Sequence, residues 1–143
     1  MNKPLKYIVF LFICTIALLS FALKANSQSD IVNIERSVEV SINSMSTSEM
    51  TRLMEDEIEL HIETENIHYT KVKKDRATFL LDSFLMKNPP KSLDLHPVNG
   101  SKANITYLVG QFISGSKKFQ TYLYLKTNED GQFEIYSIEI SRY

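Results

Sequence analysis

Residues 70–92, TKVKKDRATFLLDSFLMKNPPKS, decide how the rest of this sequence is read. Thr70 is placed to cap a helix whose buried side is marked by Val72, Phe79, Leu80 and Phe84. Asn88-Pro89-Pro90 ends that helix. The residue before a proline is pushed out of the helical region, and proline has no amide hydrogen to donate. Beyond this stop the pattern is strand throughout. Leu93 and Leu95 alternate before Pro97 and Asn99-Gly100, Ile105, Tyr107 and Val109 alternate before Gly110, and Phe119, Thr121, Leu123 and Leu125 alternate before Asn128 to Gly131. These are three successive antiparallel strands. In the last strand Phe133 and Ile135 share one parity, whereas Tyr136, Ile138 and Ile140 share the other. Either a bulge near Ile135 and Tyr136 reconciles them, or the strand is buried on both faces. A bulge would also bend the sheet over a helix.

Upstream of the long helix, Ile31, Ile34, Val38, Ile42 and Met45 recur at helical spacing behind Ser29 or Asp30. Ser46 and Glu49 fit a capping box for a second helix with Met50, Leu53 and Met54 as its apolar stripe. From Glu57 the period becomes two, with Ile58, Leu60 and Ile62 alternating with Glu57, Glu59, His61 and Glu63. Ile67 to Tyr69 reads as a short strand. The fold class is therefore α+β, with two N-terminal helices followed by a curved antiparallel sheet wrapped on a long helix.

The chain starts with Lys3 and Lys6 and no acid, followed by the apolar run Tyr7–Leu23 and the small residues Ala25-Asn26-Ser27. That is the pattern of a secretory signal over residues 1–27, with a mature domain of residues 28–143 beginning at Gln28. The competing reading is a retained anchor, but the run is slightly short of the ~20 apolar residues a span requires. The expected location is the periplasm or the exterior, with membrane contact only through the signal segment. The one cysteine, Cys14, lies inside the apolar run, so the mature chain has neither disulfide nor thiolate chemistry.

Lys3, Lys6 and Lys24 are three of the sixteen basic residues, and none of the seventeen acids precedes Gln28. The mature chain thus carries thirteen bases against seventeen acids, about −4, which argues against a nucleic-acid partner. The acids of Glu49 to Glu65 and the bases of Lys71 to Arg76 read as solvated faces.

Helix, helix, strand, short strand, long helix and four-stranded meander is the order of the cone-shaped nuclear transport factor 2-like, or cystatin-like, fold. Over about residues 30–143 the chain resembles the secreted, mainly Bacteroidetes family called domain of unknown function 4783. The resemblance is carried by the alternation of Glu57 to Ile62, by Tyr69-Thr70, by Phe84 with Lys87-Asn88-Pro89-Pro90-Lys91-Ser92, and by the closing pair Tyr122 to Ile140. The chain departs from it in an acid-rich first strand and in a helix-forming Ser41 to Met45, where a glycine turn is more usual. The resemblance implies a fold and a compartment. It supplies no catalytic residue, and function from fold alone is analogy.

His61, His68 and His96 match no metal-ligand spacing. His61, between Glu59 and Glu63, reads as a solvated residue rather than a general base. No nucleophile elbow, phosphate loop or dinucleotide fingerprint occurs, so no cofactor is expected. Asn99-Gly100-Ser101 and Asn104-Ile105-Thr106 fit the glycosylation pattern by chance. In isomerase-like members of the wider fold an acid meets a tyrosine inside the cone. Here Tyr107, Tyr122, Tyr124 and Tyr136 are plentiful but no inward acid is evident; Asp82 and Asp94 fit poorly. The expectation is a non-catalytic module whose concave face, lined by Phe79, Tyr107, Tyr122, Tyr124 and Tyr136, takes a small apolar or amphipathic ligand or a protein partner, including a second copy as a homodimer. A small-molecule isomerase or hydratase acting in the cone is the alternative.

Overall fold

The computed structural model describes residues 29–98 and 105–143. The chain divides into two compact units, Met1–Asp30 and Ile31–Tyr143. The expected signal segment, Cys14, the cleavage point before Gln28, the Asn99-Gly100 turn and both glycosylation asparagines lie outside the described residues.

Helix α1 covers residues 29–43 and is followed by α2 (Ser48–Arg52), β1 (Met54–Ile62), a 3₁₀ turn (Glu63–Glu65), β2 (Ile67–Lys73), α3 (Lys74–Lys87), β3 (Ser92–Val98), β4 (Ile105–Ser114), β5 (Lys117–Thr127) and β6 (Phe133–Arg142). The six strands form one sheet in the order β2-β1-β6-β5-β4-β3. The fold is α+β, as expected, but the sheet is mixed, because β1 and β6 run parallel. Local alternation sets each strand's faces and not its neighbour, so this pairing of the first strand with the last has no local signal.

Both helical layers cover one face of the sheet. Phe84 of α3 is 1% exposed and packs edge-on against Phe119 at 5.3 Å and tilted against Phe112 at 5.8 Å. The buried side of α3 is Ala77, Leu81, Phe84 and Leu85. Phe79 was expected there and is instead 69% exposed. It stands five residues from Phe84, about 140° around a helix of 3.6 residues per turn. The expected start at Thr70 is corrected as well: Thr70 and Val72 belong to β2, and α3 begins at Lys74.

The second helix is a single turn. Thr47, not Ser46, is its N-cap, and no side-chain capping bond forms, because the Thr47 hydroxyl donates to Asp82 Oδ1 at 2.6 Å. Met54, expected on the helical stripe, opens β1. Between α1 and α2, the Met45 amide donates to Ile42 O and the Ser46 amide to Ser41 O, with Met45 at φ 55°. This paired closure places its left-handed residue where glycine is the usual choice, so the stretch Ser41 to Met45 makes the turn without one.

The bulge in β6 is present. Leu125 pairs with Ile135 and the next residue back, Tyr124, with Ser137, leaving Tyr136 as the extra residue. Ile135, Ile138 and Ile140 consequently all face the core and are buried. At the opposite edge, β3 is protected by α1: the Leu95 amide donates to Glu39 Oε1 at 2.7 Å and the Leu93 amide to Asn43 Oδ1 at 3.0 Å. Such contacts occupy donors that an open edge would offer to another chain. Gly110 permits β3 and β4 to meet, since a Cβ there would lie 2.0 Å from Asp94 O.

The contrast between the two helix phenylalanines is measurable. Phe84→Ala should cost about 3–5 kcal/mol as a large-to-small core change. Phe79→Ala should stay within about 0.5 kcal/mol. Urea unfolding of the two variants distinguishes this helical face from the one the sequence suggests.

Candidate functional site

The interior of the cone is filled. Val38, Ile42, Leu81, Phe84, Leu123 and Ile138 are among the side chains around a cavity of about 20 Å³, room for about one water and far below the ~300 Å³ at which ligand pockets begin. Thr121 contributes a hydroxyl to this wall that has no hydrogen-bond partner in the structure. Two open grooves are larger. One of about 430 Å³ is bordered by Met45, Thr47, Thr78, Asp82 and Met86, and one of about 350 Å³ by Glu65, Lys87, Asn88, Lys117 and Arg142.

The tyrosines expected to line the concave face stand on the other side of the sheet. Tyr107 pairs with Tyr124 and Val109 with Tyr122, whereas Leu108 and Phe112 of the opposite parity are buried in the core. β4 is apolar on both parities, so its alternation can be read either way, and Ile105, Tyr107 and Val109 prove to be the outward set. Phe79 projects from α3 into solvent and does not join them. The concave-face assignment of all five residues is thereby corrected.

What the register assembles is an aromatic patch on the face turned away from α3. One row across the sheet runs Glu59, Ser137, Tyr124, Tyr107 and Val98; the next runs His68, His61, Glu139, Tyr122, Val109 and His96. Ring centroids are 5.8 Å apart for Tyr107 and Tyr124, 6.4 Å for the stacked Tyr122 and Tyr124, and 6.1 Å for Tyr124 and Tyr136. The bulge brings Tyr136 into this group, and Ser137 beside it is only 7% exposed although it points away from the core. His61 and His68 meet edge to face at 4.9 Å.

Burial first, then the Glu139 carboxylate and the neighbouring phenols, pushes the Tyr124 hydroxyl above its ordinary value. Burial and then Glu59 do the same to Tyr136, with Lys126 opposing. At the margin the carboxylates are paired: Glu55 with Lys126 at 3.3 Å, Glu57 with Lys71 at 2.8 Å and Asp56 with Lys74 at 2.8 Å. Among the described residues no three His, Cys, Asp or Glu side chains converge as a metal site, and no helix is long and apolar enough to cross a membrane. Asp82, the acid nearest the isomerase pattern, bonds Thr47 in the 430 Å³ groove rather than a tyrosine in the cone.

The family model described as "Domain of unknown function (DUF4783)" matches residues 35–141. The chain belongs to the DUF4783 family. None of the curated proteins matches it. A crystal structure of a DUF4783 protein from Bacteroides ovatus is similar at 21% identity and TM-score 0.64, covering 75% of this chain and 93% of that one. A domain of unknown function with a cystatin-like fold from Nostoc punctiforme is similar at 11% identity and TM-score 0.64, over 82% and 78% of the two chains. A candidate ketosteroid isomerase from Parabacteroides distasonis follows at 17% identity and TM-score 0.56, over 79% and 85%. At these identities the likeness is one of fold, which is nuclear transport factor 2-like or cystatin-like.

A spectroscopic titration checks the patch in this DUF4783 protein. Tyr124 and Tyr136 should ionise above the ordinary 10.0 of a phenol. The sign for stability follows, because the folded state keeps these protons after the unfolded chain has lost them. Stability contributed below pH 10 should fall as pH rises through the folded values, and replacing both residues by Phe should remove that part of the alkaline loss.

Proposed function

We propose that this DUF4783 protein is an exported, non-catalytic association module that works through the outer face of its sheet. The observation that carries the reading is the cluster of Tyr107, Tyr122 and Tyr136 gathered around Tyr124, each ring in contact with it, on a face that α1 and α3 leave uncovered. Aromatic side chains are enriched where proteins meet, because they bury a large area with little rotamer entropy to lose and keep a polar tip for the rim. Export is supported by the signal-like pattern of residues 1–27 and places the face in the periplasm or outside the cell.

A cone of about 20 Å³ gives a small-molecule isomerase no closed chamber, and Asp82 is engaged by Thr47 away from the tyrosines. Both points favour association over catalysis.

Tyrosine iodination tests the reading. In the extracellular or periplasmic fraction of the cells that make the protein, Tyr122 and Tyr124 should label several-fold less than in the purified chain. Equal labelling in the two preparations would show that nothing covers the face.

A further inference from the structure

Two acids stand in the tyrosine rows without a lysine or arginine partner among the described residues, one of them, Glu139, opposite His61 in the register. Glu59 shares a row with Tyr124 and Tyr107, and Glu139 shares a row with Tyr122. Neither forms a salt bridge among the described residues, while Glu55, Asp56 and Glu57 on the same strand each have a lysine within 3.3 Å. The lysines of this face stand around its border, Lys71 bonded to Glu57 and Lys73 opposite Glu57 on β2. Lys126 is held by Glu55, and Lys118 lies four residues from Tyr122 along β5, roughly 13 Å at the rise of a strand. The centre of the patch is therefore aromatic and anionic together.

Those two properties select the same ligand chemistry. A ring face attracts a cation through its quadrupole, and a neighbouring carboxylate accepts the paired hydrogen bonds of a guanidinium. A second copy of the chain matches less well, because a two-fold contact would set its Glu59 and Glu139 against the same strip. Resting on the association reading above, we propose that the outer face takes a basic polypeptide segment, with arginine or lysine side chains laid across Tyr107, Tyr122 and Tyr124 and held by Glu59 and Glu139.

Octa-arginine titrated into the purified protein, followed by the tyrosine ring signals in NMR, tests the proposal. Saturable binding is expected, with octa-glutamate producing no shift. A Glu59→Gln/Glu139→Gln double variant should bind octa-arginine about tenfold more weakly or worse, and Tyr122→Leu/Tyr124→Leu should also weaken it. Both variants alter only the solvent side of the sheet, and thermal melting verifies that they fold. Absence of binding, or binding unchanged in the glutamine variant, overturns the proposal. A dimer seen by sedimentation without peptide and lost in the Tyr122→Leu/Tyr124→Leu variant overturns it too, by assigning the face to a second copy, and leaves the association reading intact. That reading fails separately, if iodination finds Tyr122 and Tyr124 uncovered in the native fraction.

Discussion

The last strand faces a conflict that the whole sheet depends on resolving. β6 lies at the centre, parallel to β1 on one side and antiparallel to β5 on the other, and its apolar residues fall on two parities. Side chains alternate at a period of two, so a regular strand would put Ile135 on one face and Ile138 and Ile140 on the opposite one. The additional residue at Tyr136 shifts the register once between Leu125 and Tyr124. All three isoleucines then reach the core, and the same shift delivers Tyr136 and Ser137 to the outer face. One local irregularity completes the interior and assembles the aromatic patch.

The remaining constraints act on the two ends of the sheet order. Gly110 admits Asp94 O to a distance no other residue would allow, and Glu39 and Asn43 of α1 bind the β3 amides that would otherwise be open. Glu39 does this beside Glu35, whose carboxyl is pushed up by burial and then by Glu39 itself. β3 is thus covered by α1 and the core is packed to a cavity of about 20 Å³, while the back of the sheet carries the aromatic patch that α1 and α3 leave uncovered.

Much of this could be read from the residues. Asn88-Pro89-Pro90 stops α3 after Lys87, the alternation of Ile58, Leu60 and Ile62 gives the inner side of β1, and the parity break in β6 announces its bulge. Other features had no local signal. The parallel contact of β1 with β6 joins strands far apart in sequence. In β4, Ile105, Tyr107 and Val109 are as apolar as Leu108 and Phe112, so only the partner strands settle which set faces in. In α3, Ala77 carries part of the buried side with a single methyl, and Phe79 outweighs it by size while pointing to solvent. The tyrosines of the candidate site were recognisable as a group, but their face was not, because it depends on the β4 and β5 parities. Glu59 and Glu139 belong to the patch through cross-strand register, which spacing along the chain does not reveal.

Deleting Tyr136 and comparing the product with Tyr136→Thr in urea unfolding addresses the bulge directly. The substitution keeps the additional residue and should cost on the order of 1 kcal/mol, the scale of a cross-strand side-chain contact. The deletion slips the strand by one position, which turns Ile138 and Ile140 outward or forces Ile135 out instead, and it should cost more than about 3 kcal/mol, the scale of emptying core positions. A deletion variant as stable as Tyr136→Thr would contradict the claim that one bulged residue sets both faces of the sheet.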